Sequence, residues 1–338
     1  MNDVFVLDAV RLPVGRYGGG YAGVRPDDLA AAVVGQAVGR VRGLDPATID
    51  DVWMGDANGA GEDNRDVARM AVLLAGLPTS VPGATVNRLC GSGMEAVASA
   101  SRAIAMGDAS VCVAGGVESM TRAPWVLLKP GAGHPRGDEV LHSTTLGWRM
   151  VNPAMPTAWT ASLGQGAERL ADEYGIGREE QDAFALESHR KAARAWEEGR
   201  FAAEVVRAPQ AALPQDETVR ANTTAEALAG LPPAFRPDGT VTAGNSSPFS
   251  DGASALVLAS ERAAAALGAE PLARVVSRAV TALDPRDYGL GPVEASALAL
   301  ERAGIGWGDL SLVELNEAFA AQALACLAHW KDLDPPLS

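Results

Sequence analysis

The chain has 338 residues, 47% of them hydrophobic, which is enough to bury more than one core, and about two or three structural units are expected. Its formal net charge of −14, with no block of Lys and Arg to offset it, argues against a nucleic-acid partner and leaves any anionic ligand to a few placed basic residues and backbone N–H groups. Cys90, Cys112 and Cys326 are widely spaced, with no C-x-x-C pair, which excludes a disulfide framework or a zinc cluster and points to reduced thiols in a cytoplasmic protein. The N-terminus "MNDVFVLDAVRLPVG" meets charges too early for a signal peptide, and no apolar run approaches the roughly 18 residues of a membrane span.

In chain order, "DVFVLDAV" reads as a strand, "PDDLAAAVVGQAVGRV" as a helix opened by Pro and Asp, and "DDVWMGDA" as another strand, which is the grammar of an α/β protein. "ATVNRL" is a β-type run, and "GSGMEAVASASRAIAMG" a helix closed by Gly107, followed by the apolar strand "SVCVAGGVE". From Ser119 to Thr240 the character changes: Pro, Gly and Trp are scattered, and "GREEQDAFALESHRKAARAWEEGRF" forms an amphipathic helix, as expected of an insertion. "GNSSPFSDGASALVLAS" then returns to turn and strand, and "RVVSRAV", "PVEASALALERAG", "LSLVEL" and "NEAFAAQALACLAHW" read as strand, helix, strand and helix. The expected organisation is two related α/β halves: 1–118 completed by 241–270, an inserted loop domain over 119–240, and a partial second half over 271–338.

Cys90 falls at a strand-to-helix junction. A thiol attacks as its thiolate, which a helix N-terminus favours, and Gly91 and Gly93 clear the approach for a carbonyl carbon, so acyl transfer through a thioester is one reading and a packed core thiol the other. Cys112, inside "SVCVAGG", reads as a core thiol. Asn316 and Glu317 follow the run "LSLVEL", which puts Asn316 at a capping position, free to cap the helix or to hold a water. The loop "TAGNSSPFSDG" is a turn former that can also serve a ligand.

Together these stretches resemble the thiolase family over nearly the whole chain. "VNRLCGSGMEAV" is similar to its nucleophilic-cysteine motif, "GGVESMTRAP" to the strand and loop that follow, "AGNSSPFSDGASA" to its coenzyme A loop, and "ELNEAFAAQA" to its second catalytic block. The resemblance implies the layered thiolase fold, a homodimer or homotetramer, and coenzyme A and acyl-CoA as substrates, with no metal or other cofactor. It implies cleavage or formation of a 3-oxoacyl-CoA through an acyl-Cys90 intermediate, with Asn316 fixing a water in an oxyanion hole. Arg220 then matches a residue at the nucleotide end of coenzyme A, Phe235 and Ser247 residues beside the pantetheine, and Ala318 and Phe319 residues of the same tunnel. The loop "GWRMVNP" is similar to that of members acting on short or dicarboxylic acyl chains.

Members of that family continue after "NEAF" into a G-H-P block, whose histidine activates the nucleophile, and then to a second cysteine. Neither block follows Asn316 here, so the sequence is expected to be truncated, and its closing "DPPLS" to mark the break. The alternative function is therefore a coenzyme A-binding remnant without turnover. "GAGHPRGDE" mimics the missing block but lies inside the insertion, and no catalytic role is expected of His134. His142 and His189 are expected to be solvated, and Cys326 and His329, three residues apart on one helix face, to be ordinary helix residues.

Overall fold

The computed structural model describes residues 2–131, 133–134 and 136–330. The chain runs β1 (Val4–Arg11), β2 (Gly15–Arg16), α1 (Pro26–Arg40), β3 (Asp51–Gly55), α2 (Val67–Leu74), β4 (Gly83–Val86), α3 (Ser92–Met106), β5 (Val111–Ser119), β6 (Trp125–Val126) and β7 (His142–Ser143). It continues with α4 (Leu163–Tyr174), α5 (Arg178–Glu197), α6 (Ala225–Ala229), β8 (Ser250–Ser260), α7 (Glu261–Leu267), β9 (Ala273–Arg274), α8 (Gly291–Ala303) and α9 (Ala320–Trp330). Two compact units result: Met1–Arg149, Gly199–Thr218 and Phe249–Val276 in the first, and Met150–Glu198, Val219–Pro248 and Ser277–Ser338 in the second. The segment 119–240 is thus shared between both units.

The first unit is a mixed sheet of order β4-β3-β5-β8-β1-β9, parallel across β4-β3-β5 and antiparallel from β5 onward. The two-residue period of the central strands decides which face each side chain joins. Val111, Val113 and Val117 of β5 pack with Leu29, Val33 and Ala37 of α1 and with Val67 and Ala71 of α2. Cys112 and Ala114, on the opposite face, pack with Ala96, Ala100 and Ile104 of α3. A strand buried on both faces reads as a continuous apolar run, as "SVCVAGG" does. Helix α1 starts with Pro at its first turn and Asp27 and Asp28 beside it, both suited to the positive helix end. Helix α3 stops where Gly107 takes φ +88°, a left-handed conformation that glycine adopts without a Cβ penalty.

The second unit is helical. Ser162 and Gln165 form a reciprocal capping box at the start of α4. Ala167, Leu170 and Ala171 of α4 then pack with Phe319, Ala321 and Ala325 at α9. Buried Glu168 of α4 accepts hydrogen bonds from the N–H groups of Thr240 and Val241 at 3.0 and 2.9 Å and meets the guanidinium of Arg236. One carboxylate so fixes the approach to the 242–248 loop.

Two expected strands do not form. Of "RVVSRAV" only Arg274 is in a strand, within the two-residue β9, and the "LSLVEL" segment is irregular. Strand backbone needs a neighbouring strand to take its N–H and C=O groups: the pairing with β1 ends where the Val275 N–H donates to the Val4 carbonyl at 2.9 Å, and no described strand flanks "LSLVEL". Leu312 is accordingly 73% exposed. A second layered sheet is absent among the described residues.

Candidate active site

Cys90 lies in the first unit, exposed, in the bend between β4 and α3. Leu89 before it has φ +50°, a left-handed conformation that is costly for a branched residue. Short polar side chains hold it: Asn87 Oδ1 accepts from the Leu89 N–H at 2.9 Å, and Ser92 Oγ accepts from the Arg88 N–H at 2.8 Å while donating to the Leu89 carbonyl at 2.6 Å. Gly91 occupies the N-cap of α3 and offers no side-chain cap, so the positive end of the helix stays open beside the thiol. A thiol on such a strained, braced turn at an open helix end is accessible, with backbone N–H groups beside it that could stabilise a developing negative charge. The helix end and the glycines are visible in the sequence motif. The bracing by Asn87 and Ser92 was missed, although both are ordinary turn formers within the quoted motif.

The same bend is tied to an acidic loop. The Asn87 side chain donates to the Ala57 carbonyl at 2.9 Å, and Asp56 N–H donates to the Val86 carbonyl at 3.1 Å. Asp56 is 4% exposed, and its carboxyl lies against that of Asp63. Burial first, and then the nearby carboxyls of Asp63 and Glu118, push the Asp56 pKa up to about 8. The folded pKa therefore lies above the unfolded value of about 3.9. Between these values the folded chain holds a proton that the unfolded chain does not, so this group's contribution to stability is full at low pH and is lost as pH rises toward 8. Asp56→Asn should thus be more stable than the parent chain near pH 8 and lose that advantage near pH 5, as read from denaturant unfolding at both values. An equal difference at the two pH values would refute the assignment.

The other six predicted residues belong to the second unit. Four of them meet directly: the Ser247 N–H donates to the Ala318 carbonyl at 2.9 Å, and the rings of Phe235 and Phe319 stand edge to face at 5.9 Å. Gly164 faces the Phe235 ring so closely that a Cβ there would lie 2.2 Å from it. Arg220 is exposed, and its backbone N–H donates to His189 Nδ1 on α5 at 3.3 Å. Asn316 departs from expectation: α9 begins at Ala320, so Asn316 is not at a cap but in the exposed irregular stretch before it. The absence of a strand over "LSLVEL" removes the strand-to-helix junction on which the capping position depended. Its neighbour Glu317 accepts a hydrogen bond from Ser188 Oγ at 2.6 Å.

The remaining candidates sort by burial. Cys112 is fully buried, and burial pushes its thiol up to about 12, as suits a core residue. Cys326 is buried too, its thiol pushed up to about 11 and its Sγ donating to the Gly289 carbonyl at 3.2 Å. His329 Nε2 lies 2.6 Å from the Tyr174 hydroxyl. These are helix-packing roles. His134 is exposed in its loop, while Pro135 and the closing "DPPLS" lie outside the described residues. His142 and His189 are half-buried instead of fully solvated, His142 on the β6-β7 ribbon and His189 on α5. A cleft of about 610 Å³ lined by Arg25, Glu62, Thr121 and Arg122 contains none of the predicted residues, and Asp27 and Glu62 already pair with its two guanidiniums. Among the described residues no group of three or more His, Cys, Asp or Glu is placed to hold a metal ion, and no helix is long and apolar enough to cross a membrane.

Residues 4–262 match the model of the thiolase N-terminal domain and residues 269–334 that of the thiolase C-terminal domain. The chain belongs to the thiolase family. A β-ketoadipyl-CoA thiolase of Escherichia coli is 50% identical over 335 residues, covering 97% of this chain and 83% of that protein. One from Pseudomonas aeruginosa is 50% identical over 333 residues, covering 96% and 83%. The thiolase fold is seen in solved structures as well. The Bacillus anthracis acetyl-CoA acetyltransferase superposes with a TM-score of 0.90 at 40% identity, covering 97% of this chain and 83% of that one. A human mitochondrial 3-ketoacyl-CoA thiolase in complex with CoA does so at 0.90 and 37% identity, covering 97% and 82%. The chain spans about 83% of the length of these relatives, and its match to the thiolase C-terminal domain runs to residue 334. At about 50% identity to proteins named as thiolases, a thiolase-type acyltransferase is favoured over a coenzyme A-binding remnant.

Proposed function

We propose that this thiolase cleaves 3-oxoacyl-CoA esters of the dicarboxylic type, 3-oxoadipyl-CoA first among them, with coenzyme A as the second substrate. The carrying observation is the exposed thiol of Cys90 on its braced turn at an open helix end. In the forward direction the Cys90 sulfur attacks the C3 carbonyl carbon, and the C2–C3 bond breaks. Its electron pair leaves on the acetyl-CoA fragment, which takes up a proton. The acyl-Cys90 thioester is then attacked by the thiol of coenzyme A, which releases the shortened acyl-CoA and returns the thiol. For 3-oxoadipyl-CoA the products are acetyl-CoA and succinyl-CoA.

In this reading Asn316 orients a water at the oxyanion, Arg220 meets the nucleotide end of coenzyme A, and Phe235, Ser247, Ala318 and Phe319 border its pantetheine arm. The direct contacts among these last four support a shared surface. The dicarboxylic preference draws on the names of the relatives and on Arg149 in "GWRMVNP", whose Nη2 donates to a neutral partner, Asn58 Oδ1, at 3.4 Å. In a chain of net charge −14 such a guanidinium is a natural partner for a distal carboxylate. A homodimer or homotetramer in the cytoplasm completes the reading. It draws on the edge strand β4 and on Leu89 and Met94, 67% and 81% exposed, and on three unpaired cysteines.

The test is thiolysis by the purified chain of 3-oxoadipyl-CoA and of acetoacetyl-CoA, with mass spectrometry of the Cys90 peptide alongside. Turnover with preference for 3-oxoadipyl-CoA is expected. Acyl capture on Cys90 without turnover would restore the remnant reading, and no capture from a folded chain would overturn the acyltransferase assignment.

A further inference from the structure

Helix α5 places two neighbouring residues against two segments that carry proposed ligand contacts. Ser188 Oγ donates to Glu317 Oε2 at 2.6 Å, next to Asn316 and Ala318. His189 Nδ1 accepts the backbone N–H of Arg220 at 3.3 Å. The spacing explains the second contact: Asp182, Leu186 and His189 fall on one face of α5, with Asp182 and Leu186 buried, so the imidazole is turned inward and half covered. Arg220 in turn heads a short turn, its carbonyl accepting from the Thr223 N–H at 3.1 Å. The next residue, Thr224, caps α6 by accepting from the Ala227 N–H at 3.2 Å. The imidazole therefore anchors the first link of a turn that leads into α6.

We propose that His189 is a positioning residue for coenzyme A: its neutral ring holds the Arg220 turn in the binding geometry, and protonation of Nδ1 releases it. This rests on Arg220 meeting the nucleotide end of coenzyme A. The chemistry is one-sided, because a backbone N–H can donate only to an unprotonated ring nitrogen, so the latch needs the tautomer with hydrogen on Nε2. Two charged groups face the ring, Arg220 from the turn and Glu317 from the segment before α9. Burial and the Arg220 cation hold the imidazole below its ordinary value, and Glu317 opposes them. Of the other elements packed on α5, helix α6 carries Glu226, engaged at its own N-terminus with Thr224, and helix α9 carries Cys326 and His329, engaged with Gly289 and Tyr174. The latch is thus closed at neutral pH and opens only on acidification beyond the ordinary histidine range.

The experiment uses the full chain, with coenzyme A binding followed by calorimetry from pH 5 to 8 and amide hydrogen exchange of the 218–224 peptide measured without ligand. His189→Asn is the informative variant, since its Oδ1 can take the place of Nδ1 as acceptor and does not titrate. His189→Ala should weaken binding roughly fivefold at pH 7.5 and speed exchange at Arg220, in line with loss of one hydrogen bond. His189→Asn should bind like the parent at pH 7.5 but lack the parent's extra loss of affinity at acid pH. Ionisation of coenzyme A itself is common to all three chains and cancels in the comparison. An acid limb unchanged in His189→Asn, or exchange at Arg220 unchanged in His189→Ala, would overturn the latch. A parent chain whose 218–224 exchange responds to pH and to His189→Ala, but which binds no coenzyme A at any pH, would overturn the ligand assignment of Arg220 and with it the role given to His189.

Discussion

Cys90→Ala is expected to lower acyl transfer by roughly 10⁴-fold or more, because the bond-forming atom is removed and no other group can carry the acyl chain. The parent chain incubated with 3-oxoadipyl-CoA should gain the acyl mass on the peptide containing Cys90, and the variant should gain none. Stability should change by less than about 0.5 kcal/mol, since the side chain is exposed and fills no core. Neither remaining cysteine can substitute: Cys112 and Cys326 are buried, with thiols pushed up to about 12 and about 11. Retention of the acyl mass in the variant would remove Cys90 from the mechanism. The experiment isolates the first half-reaction, which is the right place to look in a sequence with no G-H-P block after Asn316.

Gly55→Ala should damage both fold and chemistry, from a position that touches no substrate in the proposed mechanism. Gly55 ends β3 directly beneath the start of α3, and a Cβ there would lie 2.3 Å from the Ser92 carbonyl carbon and 2.5 Å from the Gly93 nitrogen. Both are backbone atoms, so no rotamer change relieves the clash. The helix must lift off the sheet, and Ser92, which braces the Leu89 turn, moves with it. Overpacking of this kind costs about 2 kcal/mol. A displacement approaching 1 Å at the nucleophile costs about 10²-fold in rate. Denaturant unfolding and the rate of Cys90 acylation should therefore fall together. A variant with parental stability and acylation rate would show that the helix approach is not what sets the thiol's position.

Several features of this thiolase are legible in a window of ten or fifteen residues. The limits of α3 follow from its small-residue run and from Gly107, and the doubly buried β5 from the apolar string "SVCVAGG". The family itself is carried by motif blocks whose residue types are local: a cysteine between a strand and a glycine-flanked helix, and a polar turn before "DGASA". Propensity, capping and turn chemistry are properties of neighbours in the chain, so the sequence displays them directly.

Only the tertiary structure decided the rest. "LSLVEL" has the pattern of a strand, but pattern does not provide the partner that its backbone needs, and without one Asn316 stands in an exposed irregular segment four residues before α9. The proton on Asp56 depends first on burial and then on Asp63 and Glu118, the latter 62 residues further along the chain. His189 looks solvated among charged neighbours, yet the inward face of α5 and an N–H donor 31 residues away make it an acceptor. Each outcome turns on groups distant in sequence and close in space, whose burial and field no local window contains.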